Sequence, residues 1–142
     1  MQTQTIPAAR QNFPISVQVG FTVDDCQSIL TTFYQSGFSQ WAEFNSFRRD
    51  PQSLCITAVE CRPHRDAGLR FRPGDPRNDW QTLAAVEVAA GLVALVRQDF
   101  DISPNIRGPI CDLLVASELD EADAEQADCI MQAALFKKLV FF

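Results

Sequence analysis

Between Leu83 and Val96 the chain is apolar around most of a helical circumference. Leu83, Val86, Ala90, Val93 and Val96 form one stripe, Val88, Leu92 and Leu95 form another, and only Glu87 breaks the middle. A helix without a polar face must be covered on every side, so the rest of the chain has to be arranged around it. With 142 residues and 46% hydrophobic content there is material for one core and little room for two. The expectation is a single domain over residues 14–142, preceded by a polar, aperiodic leader at 1–13 that carries Pro7.

A second constraint comes from Leu135-Phe136-Lys137-Lys138-Leu139-Val140-Phe141-Phe142, an apolar, β-prone stretch that needs burial in the core or against a partner. Its tail, 139–142, is expected to return to a sheet, with strand pairing to a second copy as the variant that would make a homodimer. Ile15, Val17, Val19, Phe21 and Val23 alternate with polar or small residues, the period-two signature of a strand over 15–23. Asp24-Asp25 then caps a helix over 25–36, with Cys26, Ile29, Leu30 and Phe33 at helical spacing and Gly37 as its left-handed stop. The aromatic-polar rhythm from Phe38 to Arg48 predicts a strand over 41–48. Pro51-Gln52 supports a tight connection to a second strand over 53–62, making a hairpin.

Residues 62–78 hold three prolines, two glycines and five arginines and read as a long loop with a brief strand at Leu69–Phe71. Helices are expected at 79–97, 109–117 and 122–136. Ser103-Pro104 offers an earlier start for the second of these, but Gly108-Pro109 interrupts it. The fold class is therefore α+β, a small antiparallel sheet packed against three to four helices.

Charge is distributed unevenly. The net charge is −6, which argues against direct binding of nucleic acid, since phosphate contacts need a basic footprint. Seven arginines (Arg48, Arg49, Arg62, Arg65, Arg70, Arg72, Arg77) stand against four acids between positions 48 and 77. Nine acids stand against Arg107 alone between positions 99 and 128. The molecule is electrically two-ended if these segments lie apart and self-complementary if they meet. No membrane span or secretory signal is visible. Five unpaired-looking cysteines (Cys26, Cys55, Cys61, Cys111, Cys129) favour reduced thiols, which together predict a cytoplasmic protein.

No motif announces a catalytic centre, a cofactor or a metal. Three groupings carry what chemistry there is. Glu118, Asp120, Glu121, Asp123 and Glu125 can imitate a row of phosphates for a basic partner, or simply open a helix as acids commonly do. Arg62, Arg65, Arg70, Arg72 and Arg77 offer guanidinium forks for an anion or nucleotide, or pair with Asp66, Asp75 and Asp79 in a solvated loop. Cys61 and His64, the only histidine, suggest a thiol-based small enzyme, against the ordinary reading of a buried strand cysteine and a loop histidine.

Two stretches also carry a resemblance. The passage from Ser28 to Ala42, with Leu30, Gly37 and Trp41, and the ending Ala127-Asp128-Cys129-Ile130-Met131-Gln132-Ala133-Ala134-Leu135-Phe136 resemble small accessory proteins of bacteriophages and conjugative elements. The resemblance covers roughly residues 21–47 and 79–142 and leaves the arginine loop outside. It departs at Lys137-Lys138, where such proteins tend to have Gly and an acidic residue. It implies an origin in a mobile element but no catalytic residues. By analogy it implies an anti-defence, anti-CRISPR-like inhibitor. The resulting expectation is a non-enzymatic protein that binds a host protein or complex with a basic surface, through its acidic segment, without cofactor, nucleic acid or membrane.

Overall fold

The computed structural model describes residues 18–67 and 71–141. Its architecture is α+β as expected: four helices and a three-stranded antiparallel sheet among the described residues. The leader at 1–13 lies outside them, as do residues 15–17 of the strand expected at 15–23. The rest of that segment is not a strand: residues 18–22 are irregular and Val23 already begins helix α1, Val23–Gln35. The reason is local. The Thr22 hydroxyl accepts a hydrogen bond from the Asp25 backbone N–H at 3.1 Å, and the Asp25 carboxylate accepts from the Thr22 N–H at 2.9 Å, a reciprocal cap that starts the helix before the expected residue. Helix α1 buries Cys26, Ile29, Leu30 and Phe33 and stops at Gly37, whose φ of +67° is the left-handed exit a side chain would resist.

Strands β1, Ala42–Arg49, and β2, Ile56–Pro63, form the expected hairpin. Its register slips twice: Asn45 is the extra residue on β1, between the pairs Phe44–Cys61 and Ser46–Glu60, and Thr57 is the extra one on β2, between Ala58 and Ile56. The second bulge lets Ile56 join Val59 and Cys61 in the core although simple alternation would turn it outward. A third strand, β3, Gln81–Ala84, pairs with β2 on its other side, Leu83 opposite Val59. It replaces the first turns of the helix expected over 79–97. That helix, α2, begins only at Ala85, where the Glu87 carboxylate accepts from the Ala84 N–H at 2.9 Å.

Helix α3, Pro104–Val115, continues past Pro109 instead of starting there. Ser103 caps it, and Arg107 donates to the Val96 carbonyl at 2.9 and 2.6 Å. One side chain thus ties α3 to the end of α2 and occupies an orphan carbonyl. Helix α4, Ala124–Phe136, follows a single 3₁₀ turn at Leu119–Glu121. None of the described helices is long and apolar enough to cross a membrane.

The centre of the domain is α4, not α2. From Ala127 to Phe136 every residue but Ala134 is buried, whereas on α2 only Val88, Gly91, Leu92, Ala94 and Leu95 are buried and Val86 is 78% exposed. The two helices cross at Gly91, where a β-carbon would lie 2.6 Å from the Ile130 carbonyl oxygen and 2.7 Å from the Ala134 nitrogen. Backbone contact at that distance cannot yield by a rotamer change. Gly91→Ala is expected to lower stability in urea unfolding by about 1–3 kcal/mol, through overpacking. Gly108→Ala, in α3 with nothing within 4 Å of its added carbon, is expected to be neutral or stabilising by up to about 1 kcal/mol.

Candidate functional site

The acidic segment is laid out by two small anchors. Leu119 and Ala122 are buried, pinning the 3₁₀ turn to the body, so that Glu118, Asp120, Glu121, Asp123 and Glu125 are all left exposed. Only Asp123 has a structural task. Its carboxylate accepts from the Gln126 N–H at 2.8 Å while the Gln126 amide oxygen accepts from the Asp123 N–H at 2.9 Å, capping α4. Among the described residues the carboxylates of the other four make no hydrogen bond or ion pair. Beside them, between α3 and the first turns of α4, opens a cleft of about 300 Å³ lined by Asn105, Ile106, Pro109, Asp123, Glu125, Gln126 and Cys129. The α3 side of this cleft was invisible in the sequence, because nothing local says that residues 105–109 meet residues 123–129.

The arginine loop sits at the other end of the same helix. Phe71 packs on Phe136, the last residue of α4, with ring centroids 5.1 Å apart, and carries the Arg77 guanidinium at 4.1 Å and Lys138 at 5.8 Å from its ring centre. Thirteen residues of α-helix separate the two regions by about 20 Å. Arg77 is engaged with Asp75, at 3.0 and 2.7 Å, and its hydrogen bonds pull the Asp75 carboxyl down to about 2. Arg62 pairs with Glu43 at 3.1 Å and lies over the Trp80 ring at 4.3 Å. Arg65 and Arg72 are exposed, and Arg70 lies outside the described residues. The loop therefore has its own partners, Asp75 among them as expected, and no arginine forms an ion pair with the acidic segment among the described residues. Of the brief strand expected at Leu69–Phe71, only Phe71 is described, and it is not in a strand.

The residues that carry the resemblance meet inside the molecule. Asp128, buried at 5% exposure, accepts hydrogen bonds from the Ser39 hydroxyl, from the Trp41 indole N–H at 2.7 Å and from the Gln132 amide at 2.8 Å. Gln132, at 1% exposure, then holds the chain end. Its amide nitrogen donates to the Phe141 carbonyl at 2.7 Å, and its oxygen accepts from the Val140 and Phe141 N–H groups at 2.8 and 2.7 Å. Trp41 stacks flat on Phe141, with centroids 5.0 Å apart and planes 2° from parallel. The tail 139–141 is thus held by a side chain instead of forming the strand expected at 139–142, and Phe142 lies outside the described residues. These groups satisfy one another and present no open polar site.

Cys61 faces the core at 0% exposure, and burial pushes its thiol up to about 12. It supplies no thiolate near neutral pH, which removes the nucleophile from the Cys61–His64 reading. Burial likewise raises Cys26 to about 11, helped by Asp25, and Cys129 to about 12, helped by Asp128, Glu125 and Asp123. No group of three His, Cys, Asp or Glu residues among those described is placed to hold a metal ion. Comparison of the chain with protein-family models, with curated proteins and with solved structures gives no match.

Two measurements follow from this geometry. Cys55 and Cys111, which are partly exposed, should react with a thiol reagent in the native protein, while Cys26, Cys61 and Cys129 should react only after unfolding. The unfolded chain loses these protons near 9.0 and the native one only near 11 to 12. The contribution of these thiols to stability is therefore full below about pH 9 and lost as the pH rises toward 12, which alkaline unfolding curves check. Separately, Gln132→Leu should leave buried and half-buried polar groups without partners, cost about 1–3 kcal/mol, and speed amide exchange at Val140 and Phe141.

Proposed function

We propose that this protein is a non-enzymatic binding protein whose acidic surface captures a basic partner protein. The observation that carries this reading is the set of five exposed carboxylates around one end of α4, paired with no arginine among the described residues; two of the five, Asp123 and Glu125, line a cleft of a size for a lysine or arginine side chain. The N-terminus of α4 is the positive end of its dipole and would by itself oppose a cation. Five carboxylates outweigh the half charge or so of a helix end, and the reciprocal cap already occupies the N–H groups of Asp123 and Gln126. Glu118, Asp120 and Glu121 then act at long range, raising the rate of encounter with a basic surface, while Asp123 and Glu125 flank the cleft that receives an inserted cation.

A partner with a basic groove is typical of proteins that handle nucleic acid. The resemblance to accessory proteins of mobile elements adds the further step that the captured protein is a host defence complex and that capture inhibits it. Phosphate mimicry is the physical idea: the row of carboxylates competes with the nucleic-acid backbone for the same arginines and lysines.

The test is capture from host lysate followed by binding measurements on the identified partner. Association should slow about ten-fold or more when salt rises from low to several-fold physiological ionic strength, because exposed charges are screened. The variant carrying Asp120→Asn, Glu121→Gln, Asp123→Asn and Glu125→Gln should lose that salt dependence and most of its affinity; Asn at position 123 keeps the helix cap. Binding indifferent to these four changes would remove the acidic surface from the mechanism.

A further inference from the structure

The β1 edge of the sheet, unpaired among the described residues, is self-complementary. Among the described residues β1 pairs only with β2, and from Asn45 to Arg49 its residues are exposed. An eight-residue open edge offers unpaired backbone N–H and C=O groups to any strand that fits it. We infer that it pairs antiparallel with β1 of a second copy, about a twofold axis through the Asn45–Ser46 peptide, giving a continuous six-stranded sheet.

The register follows from the side chains. In an antiparallel pair centred between positions 45 and 46, Glu43 lies opposite Arg48 of the second copy and Phe44 opposite Phe47, and by symmetry each contact occurs twice. Cross-strand neighbours must also point to the same face. Position 48 is five residues on from position 43, an odd step, which in an unbroken strand would put them on opposite faces. The extra residue at Asn45 corrects this. Glu43 stands opposite Arg62, and Arg48 opposite Ala58, on the face away from α1, while Phe44 opposite Cys61 and Phe47 opposite Val59 share the face toward it. Sliding the partner by one residue would set Phe44 against Arg48 from opposite faces. Pairings centred nearer the strand's end bring Arg48 against Arg49, two like charges.

The aromatic contacts point the same way. Phe44 and Phe47 both touch Tyr34, with ring centroids at 5.1 and 4.9 Å, yet Phe47 remains 47% exposed. A second copy in this register would bring its own Phe44 against that ring. None of the carboxylates of the acidic surface lies on β1, so this interface is independent of the binding surface proposed above.

Sedimentation equilibrium of the full chain over a roughly hundred-fold concentration range should show a mass rising from 15.9 kDa toward twice that value. Amide exchange from Phe44 to Phe47 should slow over the same range. A mass that stays monomeric throughout, with exchange unchanged, overturns the proposal. Arg48→Glu, an exposed substitution that sets like charges together at both ends of the seam, should weaken the dimer about ten-fold or more. Glu43 also holds Arg62 of its own chain at 3.1 Å, so Arg48→Glu combined with Glu43→Lys and Arg62→Glu, which swaps the seam and keeps that internal pair, should recover it, with circular dichroism confirming the fold of each variant. A dimer unaffected by the first change, or not recovered by the second, would exclude this register.

Discussion

A helix can be buried all the way round only if its polar side chains find partners inside the protein, and α4 meets that condition through Asp128 and Gln132. The two stand four residues apart and so lie one above the other on the same helical face. Asp128 reaches into the loop before β1 through Ser39 and Trp41, and Gln132 reaches the chain end through Val140 and Phe141. A carboxylate in apolar surroundings without such donors would cost several kcal/mol. With them, one helix fixes the position of three segments far apart in sequence. The stacking of Trp41 on Phe141 closes the loop between two of those segments, so the polar contacts and the apolar ones specify the same arrangement.

The electrical layout follows from that central helix. Because α4 is the axis of the domain, whatever is attached to its first turn and whatever packs on its last residue end up about 20 Å apart. The acidic turn is held at one end by Leu119 and Ala122, and the arginine loop is held at the other by Phe71 against Phe136. Local pairing of Arg77 with Asp75 and Arg62 with Glu43 neutralises two of the seven arginines in place. The negative region has no such internal counterion among the described residues, which is why the acidic surface is the stronger candidate for recognition.

Several parts of the fold were readable in advance because their causes are local. Helix α1 with its Gly37 stop, the hairpin of β1 and β2, and the acidic start of α4 each rest on residues within a few positions of one another. The failures have a common origin. The alternation that runs to Val23 reads like a strand, but its described part, residues 18–22, pairs with no described strand, and the Thr22–Asp25 cap turns Val23 into the start of α1. Gln81 to Ala84 reads as the start of a helix because its strand partner, Ala58 to Cys61, is about twenty or more residues earlier. Pro109 should interrupt α3, yet Ser103 and the Arg107 contact with Val96 hold the turn before it. The candidate site divides in the same way: its carboxylates were legible as a charge run, whereas the α3 wall of the cleft, Asn105 to Pro109, was not.

By itself the sequence determined the fold class, the positions of most helices and the uneven spread of charge, since periodicity, capping and composition act over a few residues. Only the tertiary structure decided which helix lies at the centre, that the two charged regions are separated, that Cys61 is sealed in the core, and that Asp128 and Gln132 serve the fold. Each of those depends on which distant residues come together. Contact between segments a hundred positions apart is set by how the whole set of apolar faces and buried polar groups can be satisfied at once, and no local pattern carries that information.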